Sequence, residues 1–251
     1  MDFFNILFTP QGLIYLVILS LLEIVLGIDN IIFISIVTDK LPEDKKRPAR
    51  NLGLSLALII RLILLAIVGW IMGMTKPLFE IAGIEFTGQS LVLLLGGLFL
   101  IYKSTVEMHE NVKGVEHEEH NKPKKTLRGI VLQIVLIDIV FSFDSIITAI
   151  GMTNDISRDP KMHPMVIIYG AVIISMILML IFAKYISDFI NNRPTIKMLA
   201  LAFLVTIGVI LVAEAFGQHI PKGYIYFAMV YALVVEMFNI KMRKNKGEPE
   251  H

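Results

Sequence analysis

The chain is predicted to be an all-α integral membrane protein of seven transmembrane helices, built as two inverted three-helix repeats plus one further helix. Three observations predict it. Seven apolar stretches are each long enough to cross a bilayer, Lys and Arg crowd into alternate connections, and an acidic motif in the first stretch returns in the fourth. Composition agrees: of 251 residues 55% are hydrophobic and only 18% charged, where soluble domains carry about 25% charged residues.

A helical span needs about 20 mostly apolar residues. The stretches 12–37, 52–74, 89–108, 127–150, 164–186, 196–217 and 222–242 meet that length. The first follows Met1-Asp2-Phe3-Phe4, which lacks the basic region and small-residue cleavage site of a secretory signal, so it is expected to be a retained helix. Proline is disfavoured in a helix interior, and Pro10, Pro42, Pro48, Pro77, Pro123, Pro160, Pro164, Pro194 and Pro221 are expected outside the spans or at their ends.

Orientation follows from the basic residues. The 38–51 loop has five Lys and Arg, the 103–128 segment six, the 184–197 turn three and the tail four, against four in all the alternate connections (Lys76, Arg158, Lys161, Lys222). Cytoplasmic loops carry the excess, so the N-terminus is expected outside and the C-terminus in the cytoplasm. Arg61 alone among the basic residues lies deep within a span.

The first span contains Glu23-Ile-Val-Leu-Gly27-Ile-Asp29-Asn30 and the fourth Asp138-Ile-Val-Phe-Ser142-Phe-Asp144-Ser145. Aligned without a gap over 23–38 and 138–153, the two share six identities in sixteen positions, with Glu23 against Asp138 and Asp29 against Asp144. Gly97 and Lys103 in the third span correspond weakly to Gly208 and Glu214 in the sixth. Because each unit holds three helices, an odd number, the second must insert upside down. The repeats are expected at 1–108 and 127–217, joined by a charged cytoplasmic linker at 109–126 and followed over 218–251 by the seventh helix and a cytoplasmic tail. Inverted repeats with polar residues near the midplane are the signature of alternating-access transport.

A central Asp costs about 2.5–3.5 kcal/mol on insertion scales, so acidic residues at matched places in both repeats imply a use for the charge. On an unbroken helix Glu23 lies on the face of Asn30 with Gly27 between, and Asp138 on the face of Ser145 with Ser142 between, while Asp29 and Asp144 point about 100° away. Convergence of all these groups therefore requires local unwinding, expected near Gly27–Asp29 and Ser142–Asp144. Glu23, Asp29, Asn30, Asp138, Asp144 and Ser145 are the candidate metal ligands. All offer oxygen, which suits Mg²⁺, Ca²⁺ or Mn²⁺. Cysteine is absent, which excludes disulfides, thiolate sites and cysteine nucleophiles. Four carboxylates close together would take up protons when no metal is bound, the physical basis of an antiport. Arg61 is expected as a counter-ion that steadies the empty site, and with a single such residue at least three carboxylates are expected to lack a basic partner.

The remaining candidates belong to a second tier. Glu236, Glu214 and Lys103 are possible steps of a proton pathway, and Glu236 and Asn239 lie together in the last span. The segment 107–120 holds three His and five Glu and reads as a solvated linker with some capacity to gather metal. The thirteen Met residues are scattered over apolar faces and read as packing. No phosphate-binding glycine loop is present, so nucleotide does not power the chain.

With E-x-V-L-G-I-D-N at 23–30, D-x-V-F-S-F-D-S at 138–145 and a charged loop between, the sequence resembles the TerC family of integral membrane proteins, within the wider lysine-exporter superfamily, over nearly its whole length. The family is named for tellurite resistance, and the resemblance implies manganese export across the bacterial cytoplasmic membrane. It makes Mn²⁺ the expected substrate, where the residues alone leave Ca²⁺ and Mg²⁺ open, and gives Glu23, Asp29, Asn30, Asp138, Asp144 and Ser145 as the matching positions. The expected partners are the metal ion and the lipid bilayer, with no nucleic acid and no particular oligomer implied. Two other readings stand beside the transporter: an intramembrane enzyme using Asp138 and Asp144 as an aspartyl pair, and a membrane partner of the secretion machinery that supplies metal to secreted metalloenzymes.

Overall fold

The computed structural model describes residues 9–81, 83–113, 126–153, 164–218 and 220–245. Their elements are α1 (Pro10–Thr38), α2 (Glu43–Ala66), a short α3 (Val68–Gly73), β1 (Pro77–Ile81), β2 (Ile84–Thr87), α4 (Gly88–Lys113), α5 (Leu127–Thr153), α6 (Pro164–Asn191), α7 (Pro194–Ala215) and α8 (Lys222–Asn245). Among the described residues seven helices, all but α3, are long and apolar enough to cross a membrane, as the sequence predicts. Their outer surfaces carry Leu13, Ile59, Leu95, Leu132, Ile181 and Phe227 exposed, which suits hydrocarbon and would be costly in water.

The helix ends follow local chemistry. Pro10 and Pro194 open α1 and α7, where a missing N–H is no loss, and the Thr9 hydroxyl caps α1 by accepting from the Gly12 N–H at 3.0 Å. Thr87 and Ser90 cap α4 reciprocally: the Thr87 N–H donates to Ser90 Oγ at 2.8 Å and the Ser90 N–H to Thr87 Oγ1 at 3.0 Å. Helix α7 stops where Gly217 takes φ 76°, which lets the Gln218 N–H reach the Ala213 carbonyl at 3.0 Å.

Three boundaries differ from expectation. Helix α2 begins at Glu43, so Pro48 lies inside it rather than outside; Glu43 and Asp44 in the first turn favour the helix dipole, and the proline removes a single intrahelical bond. The second span ends at Ala66, where Ile67 leaves the helical region at φ −98° and ψ 23°. Helix α4 continues to Lys113, past the expected end at 108. The connection around Lys76 also holds an antiparallel hairpin that the sequence reading did not predict; its Phe86 stacks on Phe79 at 5.3 Å and meets Phe216 edge-on at 5.8 Å.

The chain divides into two compact units, residues 1–75 with 126–185, and 76–125 with 186–251. Each draws on both halves of the sequence, so the units are a different partition from the repeats. In the first unit α2 and α1 both pack on α5, over Leu19, Leu54, Ile130, Ile134 and Ile146. In the second, α4 and α7 pack along much of their length. They cross at Gly97 and Gly208: a Cβ on Gly97 would lie 2.7 Å from the Gly208 carbonyl oxygen, and one on Gly208 would lie 2.9 Å from the Gly97 carbonyl oxygen. Residues 114–125 lie outside the described residues, and with them most of the 109–126 linker and the Glu116–His120 part of the His and Glu segment.

Candidate functional site

Within the first unit, α1, α2 and α5 bring Glu23, Asn30, Arg61, Asp138 and Ser142 together. Arg61 projects from α2 and is 1% exposed. Its guanidinium donates three ways: Nη1 to Glu23 Oε2 at 2.5 Å, Nη2 to Asp138 Oδ1 at 3.4 Å, and Nε to Ser142 Oγ at 3.0 Å. The Ser142 hydroxyl in turn donates to Asp138 Oδ2 at 3.2 Å, one helical turn back. The Asn30 amide donates to Asp138 Oδ1 at 3.2 Å, tying α1 directly to α5.

The spacing in sequence explains this convergence. Glu23 and Asn30 share one face of α1, and Asp138, Ser142 and Ser145 share one face of α5, so two intact helices laid side by side present all five groups to each other. Arg61 then supplies from a third helix the fork of donors that two carboxylates need. Glu23 and Asp138, which align with each other in the two sequence motifs, are thus joined through one cation, whereas the sequence reading allowed Arg61 a single partner.

The expected unwinding is not found: α1 and α5 are continuous helices through 27–29 and 142–144. Gly27 and Ser142 serve other ends. Gly27 admits α6, since a Cβ there would overlap Met179 Sδ, and the Ser142 hydroxyl joins the ion-pair network instead of satisfying freed backbone. Ser145 is buried and donates to the Ser142 carbonyl at 3.3 Å.

Asp29 is buried on α1 and Asp144 half-buried on α5, each about 100° around its helix from Asn30 and Ser145. Among the described residues no three His, Asp or Glu side chains gather closely enough to hold a metal ion. The four carboxylates therefore do not form one cluster: Glu23 and Asp138 meet through Arg61, and because both helices stay wound Asp29 and Asp144 do not complete a metal-holding group with them. Lys103, Glu214 and Glu236 belong to the second compact unit and are half-buried. The Asn239 amide there donates to Glu236 Oε2 at 3.3 Å.

The network is rich in acceptors. Two carboxyl groups share one guanidinium. Glu23 Oε1 and Asn30 Oδ1 are buried with no hydrogen-bond partner among the described residues, as is Ser20 Oγ one turn before Glu23. Buried polar atoms are ordinarily satisfied, so these oxygens can accept from water or bind a cation. The sequence reading did not single out Ser20, or Met179, which packs against Gly27. Position 20 does fall on the stripe of Glu23, Gly27 and Asn30, which was a usable signal for the serine, whereas nothing in the sequence singles out one methionine among thirteen.

Comparison with known proteins gives one consistent result. Residues 8–248 match the family model described as "Integral membrane protein TerC family". A UPF0053 protein of Haemophilus influenzae is 49% identical over 236 residues, 94% of this chain and 96% of the relative. The UPF0053 inner membrane protein YgdQ of Escherichia coli K12 is 45% identical, covering 94% of this chain and 96% of YgdQ. YoaE of the same strain, also a UPF0053 inner membrane protein, is 46% identical over 93% of this chain, which spans only 43% of YoaE. No solved structure matches. The seven apolar helices and the inner-membrane relatives describe a multi-pass protein of the bacterial inner membrane, and the chain belongs to the TerC family of integral membrane proteins.

Proposed function

We propose that the protein is a secondary transporter that exports a hard divalent cation, Mn²⁺ first among them, from the cytoplasm by alternating access. The observation that carries this reading is the pair of repeat-equivalent carboxylates, Glu23 and Asp138, buried between two spanning helices and held by one guanidinium. Arg61 stands where a cation's charge is needed, and the unpartnered Glu23 Oε1 and Asn30 Oδ1 supply hard donors beside it. Glu23, Asn30, Asp138 and Ser145 bind the ion, and Asp29 and Asp144 remain in the proposed set through the repeat and the family motif. The crossing of Gly97 with Gly208 supports the inverted repeat, because residues on a two-fold axis meet their own equivalents. The choice of manganese rests on the family resemblance.

The aspartyl-enzyme reading loses support from the continuous α5. Asp138 and Asp144, six residues apart on an unbroken helix, diverge by about 120° and so cannot share a proton as a catalytic pair.

The test is intracellular manganese under manganese load, in cells carrying the wild type or Glu23→Gln, Asp138→Asn, Asp29→Asn or Asp144→Asn. Wild type should keep the level low, and Glu23→Gln and Asp138→Asn should let it rise as in cells lacking the protein. Unchanged export in both of these variants rejects the site.

A further inference from the structure

We propose that Met179 of α6 is a specificity-determining ligand, its thioether biasing the site towards Mn²⁺ and against Ca²⁺ and Mg²⁺. The inference rests on the reading of Glu23 and Asn30 as ion ligands and deepens it by naming what tells one hard dication from another.

Gly27 lies between Glu23 and Asn30 on the same stripe of α1, four residues after the first and three before the second. Having no side chain, it leaves a notch, and the Met179 side chain fills it from α6. The sulfur approaches that position more closely than any other Met179 atom: a Cβ at Gly27 would overlap Sδ, while Cε would stand 2.8 Å and Cγ 3.7 Å away. Met179 is buried at 3% exposure. The thioether therefore lies at the notch that separates Glu23 from Asn30 along the stripe, and the side-chain oxygens of those two residues, Glu23 Oε1 and Asn30 Oδ1, are buried with no partner among the described residues.

An all-oxygen site has little means of preferring Mn²⁺, because Ca²⁺ and Mg²⁺ are served by the same carboxylates and amides. A sulfur donor changes the balance. Thioethers select softer metals, and the hard alkaline-earth ions gain little from exchanging a water oxygen for sulfur. Methionine also packs irregular gaps without any such role, so the test must read selectivity rather than stability.

Purified protein in detergent is titrated with Mn²⁺, Ca²⁺ and the softer probe Cd²⁺, comparing wild type with Met179→Leu, a volume-conserving exchange of the kind cores tolerate. Gly27→Ala serves as a second variant that displaces the sulfur from the other side of the contact. Met179→Leu should weaken Mn²⁺ binding by about tenfold, the lower end of what lost support costs a metal site, weaken Cd²⁺ more, and leave Ca²⁺ unchanged. Gly27→Ala should shift the same ratio in the same direction. Equal weakening of all three ions, or an unchanged ratio of Mn²⁺ to Ca²⁺ affinity, overturns the proposal and leaves Met179 as packing. Wild type that binds and exports Mn²⁺ while Met179→Leu keeps that ratio removes this inference alone, whereas wild type that binds no divalent ion removes the transport reading and this one together.

Discussion

Replacing Arg61 with Gln tests whether a guanidinium and a metal ion share one place. Arg61 is fully buried and donates to Glu23, Asp138 and Ser142. Removing one partner of a buried ion pair costs about 3–5 kcal/mol, because the other charge is left uncompensated. The lower end is the better figure here: one contact is long at 3.4 Å and one goes to a neutral hydroxyl, so most of the loss comes from the 2.5 Å bond to Glu23. Arg61→Gln is therefore expected to be about 3 kcal/mol less stable than wild type in chelator. A divalent ion that occupies the vacated position should restore much of this, since a ligand at 100 times its dissociation constant contributes about 2.7 kcal/mol. Wild type should gain less from the same ion, because Arg61 competes with it.

The assay is thermal unfolding of the detergent-solubilised protein, wild type and variant, in chelator and across a Mn²⁺ titration. Two results refute the reasoning. If the variant in chelator is as stable as wild type, Arg61 is not the counter-ion its geometry indicates. If Mn²⁺ stabilises both proteins equally, ion and guanidinium do not compete and the ion lies elsewhere.

Two further outcomes follow from the packing. Gly97→Ala should destabilise by about 1–3 kcal/mol through overpacking, because the new Cβ meets the Gly208 carbonyl and the Val212 backbone nitrogen, neither of which can rotate away; Gly151→Ala, with nothing within 4 Å of the added carbon, should instead gain up to about 1 kcal/mol from helix propensity, and thermal unfolding of the pair reads the contrast. Ser142→Ala should cost about 1–3 kcal/mol by stranding the buried Arg61 Nε, with Ser142→Thr recovering part of it if the hydroxyl keeps its place between Arg61 and Asp138.

The number of spanning helices was legible because its signals are long-range averages. Seven apolar runs survive errors of several residues at any boundary, which is why the shift of the second span to α2 and the extension of α4 leave the helix count intact. The hairpin at 77–87 was not legible: no Asn-Gly, Asp-Gly or Gly-Gly pair marks its turn, and its packing includes Phe86 against Phe79 and, 130 residues away in sequence, Phe216. The same limit applied to Met179, whose position beside Gly27 depends on how α6 docks on α1.

At the site, the sequence singled out Glu23, Asn30 and Asp138, which the structure brings together, and misjudged how they meet. The expectation of broken helices assumed that Asp29 had to turn onto the face of Glu23 and Asn30. The structure satisfies the motif without turning it, because a seven-residue spacing already places Glu23 above Asn30, and Arg61, from a helix outside both motifs, draws the two faces together. Keeping the helices intact has a chemical consequence. Every backbone carbonyl at 27–29 and 142–144 stays committed to its helix, so an ion here can take protein oxygen only from side chains. Mn²⁺ favours six ligands in octahedral array, and Glu23, Asn30, Asp138 and Ser145 offer too few groups to replace all of its water unless the carboxylates chelate. An ion bound in this arrangement therefore keeps part of its hydration shell, and the discrimination it meets must come from the few groups that do touch it.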